Sequence, residues 1–219
     1  ELWQWTESSY RPYPGYRRAL AAIGHLLVGS RLADDPRHLH APLSFRDAGV
    51  VLGAAYDTFA FCLRQLSVEL NAHQQNPLAL MEEDRMLPVA NFDMQALAAA
   101  LDFARIALAP CLTAQNERSI KLLQASETGL TDGLEPAGDS HGHGLSEVAW
   151  PLQALTTEAR LLTQPVSTEI GSSAQAEKIE DRMTMAGLGA RRLAEMTALG
   201  YRAATPWWHT GSAGKAAAA

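Results

Sequence analysis

A chain of 219 residues, 47% hydrophobic and 19% charged, is long enough for one sizeable core or two small domains, with the composition of an ordinary globular protein. Its formal charge of -6 and pI near 5.6 argue against the clustered positive charge that a nucleic-acid or anionic-membrane surface needs. It has no run of about 18 uninterrupted apolar residues and no basic-then-apolar leader, the marks of a membrane span or a signal peptide.

The first ten residues read as an irregular N-terminal end. PGYRRALAAIGHLLVGS then predicts a helix: Pro14 suits the first turn, Leu20, Ile23 and Leu27 share a face, and Gly29 ends it. From about Leu43 to Asn71, apolar residues at Leu52, Ala55, Phe59, Leu63, Leu66 and Leu70 recur every three or four positions. That predicts a second helix about 40 Å long at the rise of an α-helix. Asn76-Pro77 breaks the chain, and the charged loop MEEDRM leads to a turn, Asn91-Phe92-Asp93, at the mouth of an alanine-rich helix. Asn91 or Asp93 caps that helix by accepting hydrogen bonds from its free first-turn amides.

The third helix, Asn91 to about Leu123, carries Leu97, Leu101, Ala104 and Leu108 on one stripe, and Pro110, which lacks an N–H, bends it without stopping it. A glycine-rich loop containing SHGHG separates it from a fourth helix over about Leu145 to Leu162, interrupted at Pro151. The last helix spans about Ala174 to Tyr201, striped by Ile179, Met183, Ala186, Ala190 and Leu193. No period-two alternation marks a strand. The expected fold class is all-α, a bundle of long, roughly antiparallel helices over residues 11–204, followed by a 205–219 tail with the Gly/Ser/Ala character of a linker or tag remnant. A 219-residue monomer cannot easily cover such rods on every side, so a homo-oligomer is expected. Cys62 and Cys111 sit inside helical patterns and read as buried thiols of a reducing cytoplasm.

Several separated segments, in order, resemble the C-terminal half of the aromatic amino acid ammonia-lyases and aminomutases, the histidine and phenylalanine ammonia-lyase group. PYPGYRRALAAIGHLLVGS is similar to the family's His-Pro-Gly-Gln helix with its Leu-Leu-x-Gly-Ser turn, and HAPLSFR to its Gln-Asp-x-Tyr-Ser-Leu-Arg segment. ELNAHQQNPLAL resembles Glu-x-Asn-x-x-x-Asp-Asn-Pro-Leu, and VANFDMQALAAALDF resembles Gly-Gly-Asn-Phe-His-Gly with its long helix. LTAQNERSIKLL is similar to Ser-Glu-Arg-Arg-Ile, and AEKIEDRMTMAGLGARR to Asn-Gln-Glu-Asp-His-Val-Ser-Met with its Ala-Arg-Lys close. The resemblance implies the helical-bundle fold shared with fumarase and aspartase, a homotetramer, and deamination of an aromatic or histidine-like amino acid.

Residue by residue, the resemblance implies that Arg46 holds the substrate carboxylate, a task that suits a planar, two-pronged guanidinium, and that Phe92 lines the side-chain pocket. Glu180 falls where histidine-specific members have Glu, and implies an acceptor for a polar substrate group. Asn71 and Asn76 match loop asparagines of structural character. Read as residue types alone, Arg46 is equally a surface charge, Phe92 a core ring and Glu180 a carboxylate on an exposed helix face.

The departures carry as much weight. Leu43 stands where the family has its proton-transferring tyrosine, and His40 stands where it has Gln; His40 can take over some proton transfer or be a solvated loop residue. The Ala-Ser-Gly triad that cyclises into the family's methylidene-imidazolone (MIO) electrophile occurs nowhere in the sequence. The cofactor is therefore expected from a missing N-terminal half of the same or a partner chain, without which this chain is inactive. The alternative is a non-catalytic scaffold or amino-acid-binding protein. His141 and His143 lack the further ligands of a zinc site, the glycines beside them have no strand-to-helix phosphate context, and Met183, Met185 and Met196 read as core filling.

Overall fold

The computed structural model describes residues 11–30, 40–136, 144–168 and 179–205. The predicted N-terminal end, the histidines His141 and His143, and the tail from residue 206 lie outside them. Seven helices appear among the described residues: α1 (Pro14–Leu27), α2 (Leu43–Arg46), α3 (Ala48–Leu70), α4 (Gln95–Lys121), α5 (Ala125–Thr128), α6 (Ala149–Leu161) and α7 (Ala186–Ala204). The all-α expectation holds, with one addition. The loop that sequence left without a strand folds as a small antiparallel hairpin, β1 (Leu78–Leu80) and β2 (Arg85–Leu87), pairing Leu78 with Leu87 and Leu80 with Arg85. Strands of three residues are too short to show a periodic pattern.

Helix α4 is the axis of the fold, with α3, α6 and α7 all packed against it. Its side chains divide by size. Ala98, Ala100 and Ala104 have no exposed surface, and with Leu97, Leu101, Cys62 and Ala186 they form one core cluster. A second cluster, toward the other end, gathers Leu112, Ala159, Met196 and Leu199. By length and apolar composition alone α4 qualifies as a membrane span. Instead it carries a buried ion pair, Asp102 with Arg105, and the helix runs on through Pro110 without ending, as expected.

Helix α1 approaches α3 through glycine. A Cβ on Gly15 would sit 2.1 Å from the Gly53 carbonyl, and one on Gly53 would sit 2.5 Å from the Tyr16 nitrogen. The Gly15 amide donates to Asp57 at 2.8 Å, and the Arg18 guanidinium lies 4.6 Å from the centre of the Tyr56 ring, so a polar contact and a cation–π contact flank the crossing. Gly29, at φ 78°, follows α1 where the sequence placed its stop.

Three expectations need correction. The predicted second helix is broken at Asp47 (φ -94°, ψ 4°) into α2 and α3, and of its apolar stripe Ala55 and Phe59 face the core whereas the leucines do not. Ala48, Gly49, Gly53, Ala55 and Cys62 are the buried residues of α3, whereas Leu52, Leu63, Leu66 and Leu70 are exposed, Leu63 to 64%. Small residues let the helices approach, and periodicity cannot say which apolar face a neighbour takes. Pro151 does not interrupt α6: it is the third residue, where its missing N–H is one that a helix start leaves without an internal acceptor. The last helix begins at Ala186, not near Ala174. Ile179 and Met183 keep helical spacing but are 77% and 56% exposed, so of the three methionines only Met196 is fully buried. The segment before α7 is drawn to α4 instead, where the Thr184 hydroxyl accepts the Met94 amide at 3.4 Å.

Gly53→Ala is expected to lower the unfolding free energy by about 1–3 kcal/mol, the usual cost of forcing a methyl into a filled crossing. Gly187→Ala, with nothing within 4 Å of the added Cβ, is expected to be neutral or to stabilise by up to about 1 kcal/mol through helix propensity. Urea denaturation of both variants checks the pair.

Candidate functional site

The turn before α4 and the segment before α7 meet at one cavity. The chain reverses at residues 90–93, with the Asp93 amide donating to the Ala90 carbonyl at 2.9 Å, and Asp93 Oδ1 accepts the Gln95 amide at 3.1 Å. The N-cap position itself is Met94, which makes no side-chain cap bond; of the two proposed capping residues it is Asp93, one position earlier, whose carboxylate meets a first-turn amide where the helix dipole favours negative charge. Arg182 lies 3.4 Å from the other Asp93 oxygen and donates to Gln95 Oε1 at 3.3 Å. This joins the extended segment at 179–184 to the start of α4.

Between the two lies a cavity of about 660 Å³, lined on one side by Phe92, Asp93 and Met94 and on the other by Glu180, Arg182 and Met183. Phe92 is 37% exposed, so part of its ring is available as a wall. Glu180 is half-buried in an extended segment, not on the face of a helix as residue spacing suggested. Its Oε1 accepts from Asn76 Nδ2 at 3.4 Å, and Asn76 in turn accepts the Val89 amide at 3.0 Å. An asparagine read as a structural loop residue thus also orients the carboxylate. Asn71 keeps the structural role, donating to the Ser67 carbonyl at 2.7 Å. The lining holds three carboxylates, Asp93, Glu180 and Asp181, against one guanidinium, Arg182. That balance favours a ligand group that donates hydrogen bonds or carries positive charge.

Arg46, Leu43 and His40 lie elsewhere. Arg46 is exposed at the end of α2 and is not among the residues lining the Phe92 cavity. His40 is exposed as well. Leu43 and Ser44 border a second cavity of about 610 Å³, between α2, Ile106 to Glu117 of α4, and Arg160 beyond it. Helix α2 is fixed there by Arg118, which donates to the Ser44 carbonyl at 2.8 Å; burial lowers the Arg118 pKa, with Cys111 and Asp47 opposing. Both thiols are free, and burial raises their pKa. Within one chain, then, the structure joins Phe92 to Glu180 and leaves Arg46 and His40 apart from them.

Residues 4–205 match the family model for aromatic amino acid lyases. The chain belongs to the aromatic amino acid lyase family. Among its relatives, the histidine ammonia-lyase of Chloroflexus aurantiacus is 30% identical over 192 residues, 84% of this chain and 36% of that protein. The enzyme of the same name from Deinococcus radiodurans is 31% identical over 195 residues, 86% of this chain and 36% of its own. The chain therefore spans about a third of the length of these curated relatives. In three dimensions it is similar to the ergothioneine-degrading ergothionase of Treponema denticola, solved with desmethyl-ergothioneine sulfonic acid, at a TM-score of 0.82 and 28% identity over 91% of this chain and 40% of that one. The phenylalanine aminomutase of Pantoea agglomerans shares the fold at a TM-score of 0.80 and 20% identity, over 93% and 43%.

Sequence reasoning missed Arg182, Gln95 and the buried Asp102–Arg105 pair. A signal for the pair existed: between residues 95 and 110 these are the only two charges in an apolar run, three positions apart. Asp93→Ala is expected to cost about 1 kcal/mol of stability through the lost bond to the Gln95 amide and the lost contact with Arg182. Asn91→Ala, at an exposed position, is expected to stay within about 0.5 kcal/mol. Thermal or urea unfolding of the two variants separates these outcomes.

Proposed function

We propose that this chain supplies the substrate-binding, C-terminal portion of an ammonia-lyase that eliminates ammonia from an aromatic or histidine-like amino acid. The observation that carries this reading is the shared cavity of Phe92 and Glu180. A ring and an oriented carboxylate suit a flat side chain with an N–H to donate. In this reading Phe92 forms the apolar wall, Glu180 accepts from the substrate side chain, and Arg46 clamps the α-carboxylate. Because Arg46 does not line that cavity in a single chain, the clamp comes from a neighbouring copy in a homo-oligomer, a tetramer as the family resemblance implies. The exposed large residues of α3 support such an assembly, since burying a leucine side chain contributes roughly 1.5–3 kcal/mol.

The electrophile does not fit the residues present. No Ala-Ser-Gly triad occurs in the sequence, so the reading takes the MIO group from an N-terminal part outside these residues and derives no step through it. Leu43 holds no exchangeable proton, and on that segment the reading assigns proton transfer to the exposed His40. That same leucine favours the second reading, an amino-acid-binding helical scaffold without catalysis. We place either form in the cytoplasm, in keeping with two unpaired thiols.

Conversion of L-histidine and L-phenylalanine to their unsaturated acids, followed by ultraviolet absorbance in the complete protein, decides between the readings: product from either supports the lyase, and binding without product supports the scaffold. Arg46→Ala is expected to weaken amino-acid binding by about 1.5–3 kcal/mol, and unchanged affinity removes it as the clamp. Glu180→Gln is expected to shift preference from histidine toward phenylalanine by about tenfold, the loss of one charge-assisted hydrogen bond.

A further inference from the structure

A buried charge pair on α4 grips the connection between α6 and α7 from both of its described ends. Asp102 is 2% exposed and Arg105 0%, and they pair with each other across one turn. Asp102 Oδ2 accepts the backbone amides of Val166 at 2.9 Å and Ser167 at 2.8 Å. Arg105 donates from Nη2 to the Gln164 carbonyl and from Nη1 to the Gly189 carbonyl, each at 3.0 Å. The first three of these backbone groups follow α6, and the fourth belongs to the first turn of α7, whose Gly189 amide bonds the Met185 carbonyl at 2.8 Å.

Gln95, two turns earlier on α4, extends the network. Its Nε2 donates to the Ser167 carbonyl at 2.9 Å, while its Oε1 accepts from Arg182 at 3.3 Å. Arg182 then meets Asp93 in the wall of the Phe92–Glu180 cavity. An unbroken series of polar contacts thus runs from the buried pair to the site.

A buried ion pair is a poor means of holding a core together, because dehydrating both charges offsets their attraction, and apolar residues of similar volume stabilise as well or better. What it supplies instead is direction. Two donors and an acceptor at fixed positions hold four backbone groups that Leu and Met would leave to slide. Neither residue reaches the cavity, so neither acts on a ligand.

We propose that Asp102 and Arg105 are positioning residues for the Phe92–Glu180 cavity, fixing the α6–α7 connection at both ends while Gln95 relays that placement through Arg182 to the segment that carries Glu180. The proposal rests on the reading of that cavity as the substrate's, and two measurements keep the two claims separable. In the complete protein, Asp102→Leu/Arg105→Met removes both charges together and leaves no lone buried ion. Its Tm is expected to hold or rise, whereas amide exchange over residues 179–184 accelerates about tenfold or more and kcat/KM falls about tenfold or more through misplacement. Retained Tm with unchanged exchange over 179–184 overturns the proposal.

Gln95→Leu is the second arm, and it decides should the double variant fail to fold. It cuts the relay without touching the buried pair, so exchange is expected to accelerate over 179–184 with Tm nearly unchanged. No acceleration overturns the relay. Accelerated exchange in both variants with KM and kcat unmoved supports the positioning role and instead overturns the assignment of the cavity to the substrate.

Discussion

A guanidinium with no exposed surface sets the terms for the middle of this fold. Burial lowers the Arg105 pKa, yet an arginine side chain stays charged at any physiological pH and must be met by acceptors wherever it lies. Asp102 and the carbonyls of Gln164 and Gly189 meet it, while its Nε finds no acceptor among the described residues. These demands spread outward. A Cβ on Gly189 would lie 3.3 Å from Arg105 Nη1 and equally close to Leu101, so glycine lets α7 lie here without displacing either neighbour. The alanines of α4 serve the same end, presenting a narrow face on which α3 and α7 close.

The outward face of the bundle shows the complementary rule. On α3, small residues from Ala48 to Cys62 and the rings of Phe59 and Phe61 face the core while Val50, Leu52, Leu63, Leu66, Val68 and Leu70 are exposed, which partly inverts the usual arrangement of an amphipathic helix. The inversion is costly in a single chain and sensible if a second copy takes the outer face. It also bears on the proposed site. Helix α2, with Arg46, is pinned to the flank of α4 by Arg118, whereas Phe92 and Glu180 gather at the turn that begins α4. A pocket needing all three has to be assembled from more than one copy, so oligomerisation and function are one proposal.

In the proposed reading, the chemistry on this chain is that of recognition. Ring, oriented carboxylate and excess negative charge describe what a bound side chain would meet. Of the groups that the resemblance assigns to bond breaking, no Ala-Ser-Gly triad occurs in these residues, and Leu43 stands where the resemblance places a tyrosine.

Much of this was legible in the residues. Periodicity and helix-stop chemistry located α1, α4 and α6 to within a few positions, and α3 apart from the break at Asp47, because the pattern of apolar residues and the conformational limits of Pro and Gly are local properties. The ordered segments that resemble ammonia-lyases identified the family, and they marked Phe92 and Glu180 one by one. What the residues could not say is which apolar face of α3 is buried, that Ile179 and Met183 precede α7 and do not belong to it, or that Phe92 and Glu180, nearly 90 positions apart in sequence, share one cavity that excludes Arg46. Those outcomes were decided by competition between distant partners: Thr184 and Arg182 reach the start of α4, and Asp102 and Arg105 capture backbone groups from two other elements. Local propensity carries no term for such partners, and they exist only once the chain has folded.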